Sequence, residues 1–178
     1  MIFKDPNLRV IQKNAFKRYF LVEELVFENC AALENIEKNA FKGLTNLRIL
    51  RLSNNQRLID LPKNSFALFS SQPGLRIQLK NNALRTISAG VFRKSEHLRE
   101  LTIEGINLTI ETGAFSTLTT IDFLILKGIT TIEKSAFKNI SRVYRLDITN
   151  SRFNLTEGIF DSLSYMKEVN TMIMTAVL

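Results

Sequence analysis

The 178-residue chain contains one cysteine, one histidine, three prolines and seven glycines. A single thiol, Cys30, excludes an internal disulfide and any cysteine-built metal quartet. With His97 as the only imidazole, no serine or cysteine has a base that the sequence can assign to it, so nucleophilic catalysis lacks its inventory. The glycines, among them Gly43, Gly74, Gly90 and Gly105, stand singly and form no phosphate-cradling loop. No apolar run reaches the length of about 18 residues that a membrane-crossing helix requires. The opening MIFKDPNLRV also lacks the apolar stretch of a secretory signal. These absences predict a chain without metal or cofactor, without a membrane span, and with no enzymatic role.

Apolar residues make up 45% of the sequence, enough for a sizeable buried core. The net charge of +7 is uneven: residues 1–100 carry 17 Lys/Arg against 9 Asp/Glu, and residues 101–178 carry 7 against 8. Such an excess attracts anionic partners, although a solvated face explains it more simply.

Phenylalanine reveals a repeat. Phe16, Phe41, Phe66, Phe92, Phe115, Phe137 and Phe160 are spaced by 25, 25, 26, 23, 22 and 23 residues. Nine residues after most of them stands an apolar-x-apolar pair: Leu25/Phe27, Leu50/Leu52, Leu101/Ile103, Leu124/Leu126 and Leu146/Ile148. The third pair, Ile77/Leu79, comes two residues late, after the loop SSQPG. In the last repeat Val169 fits the offset, but Met172 and Met174 also form such a pair. Alternation within each pair predicts a short strand with one buried face. Parallel stacking of these strands requires a crossover of a dozen or more residues, which the rest of each repeat supplies. The phenylalanines are expected to form an inner spine.

The consensus LxxLxLxxNxxLxxIxxxAFxxL, in about seven copies over nearly the whole chain, resembles the leucine-rich repeat signature. The resemblance implies one domain, residues 1–178. Its expected fold is an α/β solenoid, a curved array with one parallel concave sheet and a convex side of irregular coil or short helix. The AFxxL segment is similar to that of extracellular animal repeats, those of glycoprotein hormone receptors, Slit-type and Toll-type proteins. Bacterial surface repeats are a weaker likeness. The resemblance implies a protein-binding module of a receptor or adhesion protein, outside the cell or at its surface, with no nucleic acid as partner. The cysteine-bounded caps of those families are missing, which predicts an internal segment whose open ends self-associate. The position usually held by Asn or Cys reads Cys30, Asn55, Asn82, Ile106, Ile129 and Ser151, so looser loops are expected in the later repeats.

Strand alternation assigns the outward residues of the concave face. Arg51, Arg76, Gln78, Lys80, Glu100, Glu104 and Arg145 are candidate partner contacts, in bands of opposite charge that suit a specific protein. Phe123 and Ile125 are expected at the apolar centre of that face, unless a one-residue slip buries both. On the convex side Lys13, Lys38, Lys42 and Lys63, continued by Lys17, Arg93, Lys134 and Lys138, recur around the spine as a candidate polyanion or sulphated-glycan stripe. Solubilising charge is the simpler explanation. Asn107, Asn139 and Asn154 open glycosylation triplets, with Asn139 the most plausible acceptor. Chance alone supplies such triplets in a chain with sixteen asparagines.

Overall fold

The computed structural model describes residues 1–66, 74–92, 97–154 and 156–173, with side chains as far as 170. Its strands are β1 (Ile2–Phe3), β2 (Val10–Ile11), β3 (Glu24–Glu28), β4 (Asn35–Ile36), β5 (Ile49–Ser53) and β6 (Arg76–Lys80). They continue with β7 (Thr86–Ile87), β8 (His97–Ile110), β9 (Thr120–Ile132), β10 (Arg142–Ser151) and β11 (Tyr165–Ile173). One nine-stranded sheet runs in the order β1-β3-β5-β6-β8-β9-β10-β11, with β7 also on β8, and β2 pairs β4 separately. Every pairing is parallel. The chain is a leucine-rich repeat solenoid of about seven turns.

The described residues contain no helix, so of the two expected forms of the convex side, irregular coil or short helix, they show the irregular one. Where they are described, the AFxxL segments are runs of tight turns, as in Ala15 N–H to Gln12 O, Lys17 N–H to Asn14 O and Tyr19 N–H to Phe16 O. These three-residue closures never accumulate the i to i−4 bonds that an α-helix needs. The spine is as expected. Successive rings from Phe16 to Phe160 lie 6.1, 5.6, 5.5, 6.1, 5.5 and 5.4 Å apart. Full burial of each such ring contributes about 1.5–3 kcal/mol.

Two columns of left-handed backbone turn the chain. One lies two residues before each spine phenylalanine: Asn14, Asn39, Asn64, Gly90, Gly113, Ser135 and Gly158 all have positive φ. Their backbones connect, Asn14 N–H donating to Asn39 O, Asn39 to Asn64, and Asn64 to Gly90. The other column follows the main strand at Asn29, Asn54, Asn81, Gly128 and Asn150. Asparagine and glycine tolerate this conformation best.

In the first repeats the corner beyond that second column is held by buried side chains. Asn55 Oδ1 accepts from Cys30 N–H at 3.0 Å, and Asn55 Nδ2 donates to Phe27 O at 3.3 Å. Asn82 Oδ1 accepts from both the Asn55 backbone and its amide, each at 3.1 Å, while Asn82 Nδ2 donates to Leu52 O at 2.9 Å. Cys30 sits at the start of this ladder, fully buried, and burial pushes its thiol above the ordinary value. It stays protonated and packed, an unsuitable nucleophile.

The later repeats are more regular than expected. Strands β8, β9 and β10 run 14, 13 and 10 residues, against five in β3, β5 and β6. Glycine makes this continuity feasible: a Cβ on Gly105 would collide with the Leu84 carbonyl oxygen, and one on Gly128 with that of Gly105. The backbones there approach closely without an asparagine between them, and one turn on Ser151 Oγ accepts from Ile129 N–H at 3.1 Å. Exceptions to the continuity are a bulge in β8, where the register shifts between Glu104 and Leu108 and again between Leu108 and Thr109, and a shift between Thr149 and Ser151 at the end of β10. Leu108 is buried in its place, and Ile106 is pushed out, 59% exposed.

The end strand pairs settle the last register. Leu146 is in register with Val169, Ile148 with Thr171 and Thr149 with Met172. Met174 and Arg93 lie outside the described residues. At the first turn Phe3 is half-buried, stacked on Phe27 at 4.9 Å, while Ile2, Phe20 and Leu21 remain exposed.

Candidate functional site

The sheet face away from the core carries the residues that alternation assigned to it. Strand register aligns Glu24, Ile49, Arg76, Glu100, Phe123 and Arg145 in one row. A second row holds Val26, Arg51, Gln78, Thr102, Ile125 and Asp147. A third contains Glu28, Ser53 and Lys80, and on the later strands Glu104, Lys127 and Thr149.

Over the first strands these side chains satisfy one another. Arg51 pairs with Glu24 at 3.3 Å and donates from Nε to Gln78 Oε1 at 3.0 Å. Gln78 Nε2 donates to Glu100 Oε1 at 2.8 Å, and Thr102 Oγ1 donates to the same oxygen at 2.9 Å. Val26, outward by register and outside the core cluster, is only 4% exposed. Its neighbours across the strands are Ile2 and Arg51. Of the expected contacts, Arg51, Gln78 and Glu100 thus form one network, whereas Arg76 and Lys80 join no ion pair among the described residues. Partly exposed pairs of this kind add little stability. Their effect is to fix the face.

The later strands differ. Phe123 and Ile125 are half-buried and absent from the core cluster, which takes Ile121, Leu124 and Leu126 instead. No one-residue slip has occurred. Phe123 meets Tyr144 edge to face, with centroids 6.1 Å apart. Lys167 donates to the Tyr144 hydroxyl at 2.8 Å and stands 4.8 Å over its ring; the hydroxyl contact raises the lysine above its usual pKa. Arg142 covers the Tyr165 ring at 5.3 Å. Arg145 is held by both Asp147 oxygens at 3.1 Å and lies 3.8 Å from Glu168. The result is an aromatic patch rimmed by cations. Sequence alternation missed Tyr144 because both x residues ahead of the strand pair in LxxLxL face outward, and only the second was assigned.

On the turn side Lys13, Lys38, Lys42 and Lys63 are all exposed and make no ion pair among the described residues. The nearby carboxylate of Glu37 accepts from the Lys13 backbone N–H at 2.7 Å, and that of Glu133 from Thr112 N–H at 2.8 Å. Asn139 is exposed, but its Nδ2 donates to Ser116 O at 2.9 Å. Asn107 stands free on the β8 bulge. His97 opens β8 and lies 3.6 Å from Asp122. Among the described residues no cluster of His, Cys, Asp or Glu could hold a metal ion, and no helix is long and apolar enough to cross a membrane.

No curated protein matches the chain. A family model does, the BspA type leucine rich repeat region, in six copies over residues 9–142 and 85–175. Repeats of this kind are generally non-enzymatic, protein-binding scaffolds. The matched type is bacterial and lends nothing to the likeness with extracellular animal receptors. By the extent of that match, and by the spine and parallel sheet already described, the chain belongs to the BspA-type leucine-rich repeat family.

Proposed function

We propose that the chain binds a protein partner through the later strands of the sheet face, with Phe123, Ile125 and Tyr144 at the centre. The observation that carries this reading is the patch itself. Two aromatic rings and a β-branched side chain stand on the side away from the core, among otherwise polar rows. Arg142, Arg145 and Lys167 rim them. Interface centres favour aromatic anchors inside a polar rim. The first strands, whose charges already satisfy one another, serve as flanking contacts. The further reading, part of a receptor or adhesion protein at a cell surface, rests on the sequence resemblance alone.

Phe123→Ser is the test, using proteins captured on the immobilised chain. The substitution is expected to cost about 1–2 kcal/mol, for a half-buried ring and its contact with Tyr144, to leave the chain folded, and to abolish capture of a partner that the unchanged chain retains. Retention of that partner by a stably folded variant removes the patch from consideration.

A second reading is favoured by the four exposed lysines of the turn side, whose neighbouring glutamate is engaged by backbone. They would hold a sulphated glycan. Neutralising Lys13 and Lys38 together should release the chain from heparin at lower salt than neutralising Arg76 and Lys80. Equal release means that only net charge is felt.

A further inference from the structure

Where β8 bulges, across the later parts of β8 and β9 and the end of β10, lies a groove of about 420 Å³. Its floor is the close pair Gly105 and Gly128, and the expelled Ile106 forms one lip. Six polar side chains reach it: Glu104, Asn107, Lys127, Thr130, Asn150 and Arg152. None of the six has a hydrogen bond or ion pair to another described residue. This contrasts with the Glu24–Arg51–Gln78–Glu100 network, whose members satisfy one another across four neighbouring strands.

The groove owes its existence to the bulge. A ladder side chain at position 106 would have turned inward and filled the corner as Asn55 and Asn82 do. Ile106 instead points to solvent, at a place where an exposed aliphatic side chain gains nothing for the fold.

We infer that this groove is a binding site for a saccharide carrying one anionic group. Three features select that class. Two cations, Lys127 and Arg152, against one carboxylate, Glu104, leave one positive charge in excess, suited to a carboxylate or sulphate. Asn107, Asn150 and Thr130 offer both donors and acceptors, the complement of sugar hydroxyls. Ile106 supplies an apolar surface for the C–H face of a ring. The volume falls within the roughly 300–1,000 Å³ of ordinary ligand sites and fits one or two sugar rings. The site is independent of the protein-binding reading, since neither Phe123 nor Tyr144 lines it.

The test is titration of the whole chain with glucuronic acid, glucose 6-sulphate and neutral glucose, followed by amide and methyl NMR. At least one anionic sugar should shift the Gly105 and Gly128 amides and the Ile106 methyls, and which one does so separates carboxylate from sulphate recognition. Glucose should bind more weakly by about tenfold or more, the worth of one charge-assisted contact. Arg152→Gln and Lys127→Gln, both on the surface, should each weaken the anionic sugar by a similar factor of about ten, whereas Lys13→Gln and Phe123→Ser should leave it unchanged. Shifts absent with both anionic sugars, shifts located elsewhere, equal binding of glucose, or unaltered affinity in both groove variants would each overturn the inference.

Discussion

The early and late turns of this solenoid solve one problem in different ways. From Phe27 to the next spine ring, Phe41, is 14 residues, and from Leu52 to Phe66 is again 14. From Ile103 to Phe115 is 12, and from Leu126 to Phe137 only 11. The early arm wanders through a corner whose backbone is saturated by Asn55 and Asn82. The late arm stays extended, rising about 3.3 Å per residue, and so crosses the same layer with fewer residues. Side-chain amides hold one corner; close backbone contact at Gly105 and Gly128 allows the other. A corner built from buried amides needs every member present, whereas a corner built from backbone needs only that nothing intrude.

Substitutions at the two corners sharpen that contrast. Gly128→Ala should have the largest effect. Its Cβ would meet the Gly105 carbonyl in a backbone that is already left-handed. Strain and forced strand separation together should cost about 4 kcal/mol or more, measured by urea unfolding. A loss below about 1 kcal/mol would show that the strands part easily there. Asn55→Ala comes next. It strands the Cys30 N–H, the Phe27 carbonyl and part of Asn82 in a dry corner, with an expected loss of about 3 kcal/mol. Ser151→Ala removes the bond accepted from Ile129 N–H and the one donated to Thr149 O, and should cost about 1–2 kcal/mol in the same assay. If Asn55→Ala and Ser151→Ala cost the same, the early ladder is no more cooperative than a single hydroxyl.

The parts of the fold that repeat were legible in the sequence. Seven phenylalanines and the nine-residue offset fixed which strand residues face inward, including Leu124 and Leu126, and hence that Phe123 faces outward. Asparagine, glycine or serine two residues before each of those phenylalanines also repeats, and marks a left-handed column that the apolar pattern alone does not reveal. What breaks the period was not legible. Ile106 occupies the ladder position by count, and only the bulge between Glu104 and Leu108 puts it outside. The lapse of the ladder suggested looser loops because a lost asparagine reads as a lost hydrogen bond. Gly105 and Gly128 replace it with backbone proximity, which no single residue announces. The burial of Val26 was likewise invisible, since it sits between Ile2 of the first strand and Arg51 of the next repeat, the latter held by its pair with Glu24.

The left-handed column before the spine also bears on how such an array grows. At four of its six steps a turn offers its N–H to the carbonyl of the same position one turn ahead, from Asn14 to Asn39, Asn39 to Asn64, Asn64 to Gly90 and Gly113 to Ser135. In the first three of these steps, a run without a gap, a donor meets the same acceptor whatever its place in the count. A gene duplication that inserts one whole turn therefore delivers a segment whose partners are already waiting on both sides, and the array can lengthen by copying without first inventing a joint.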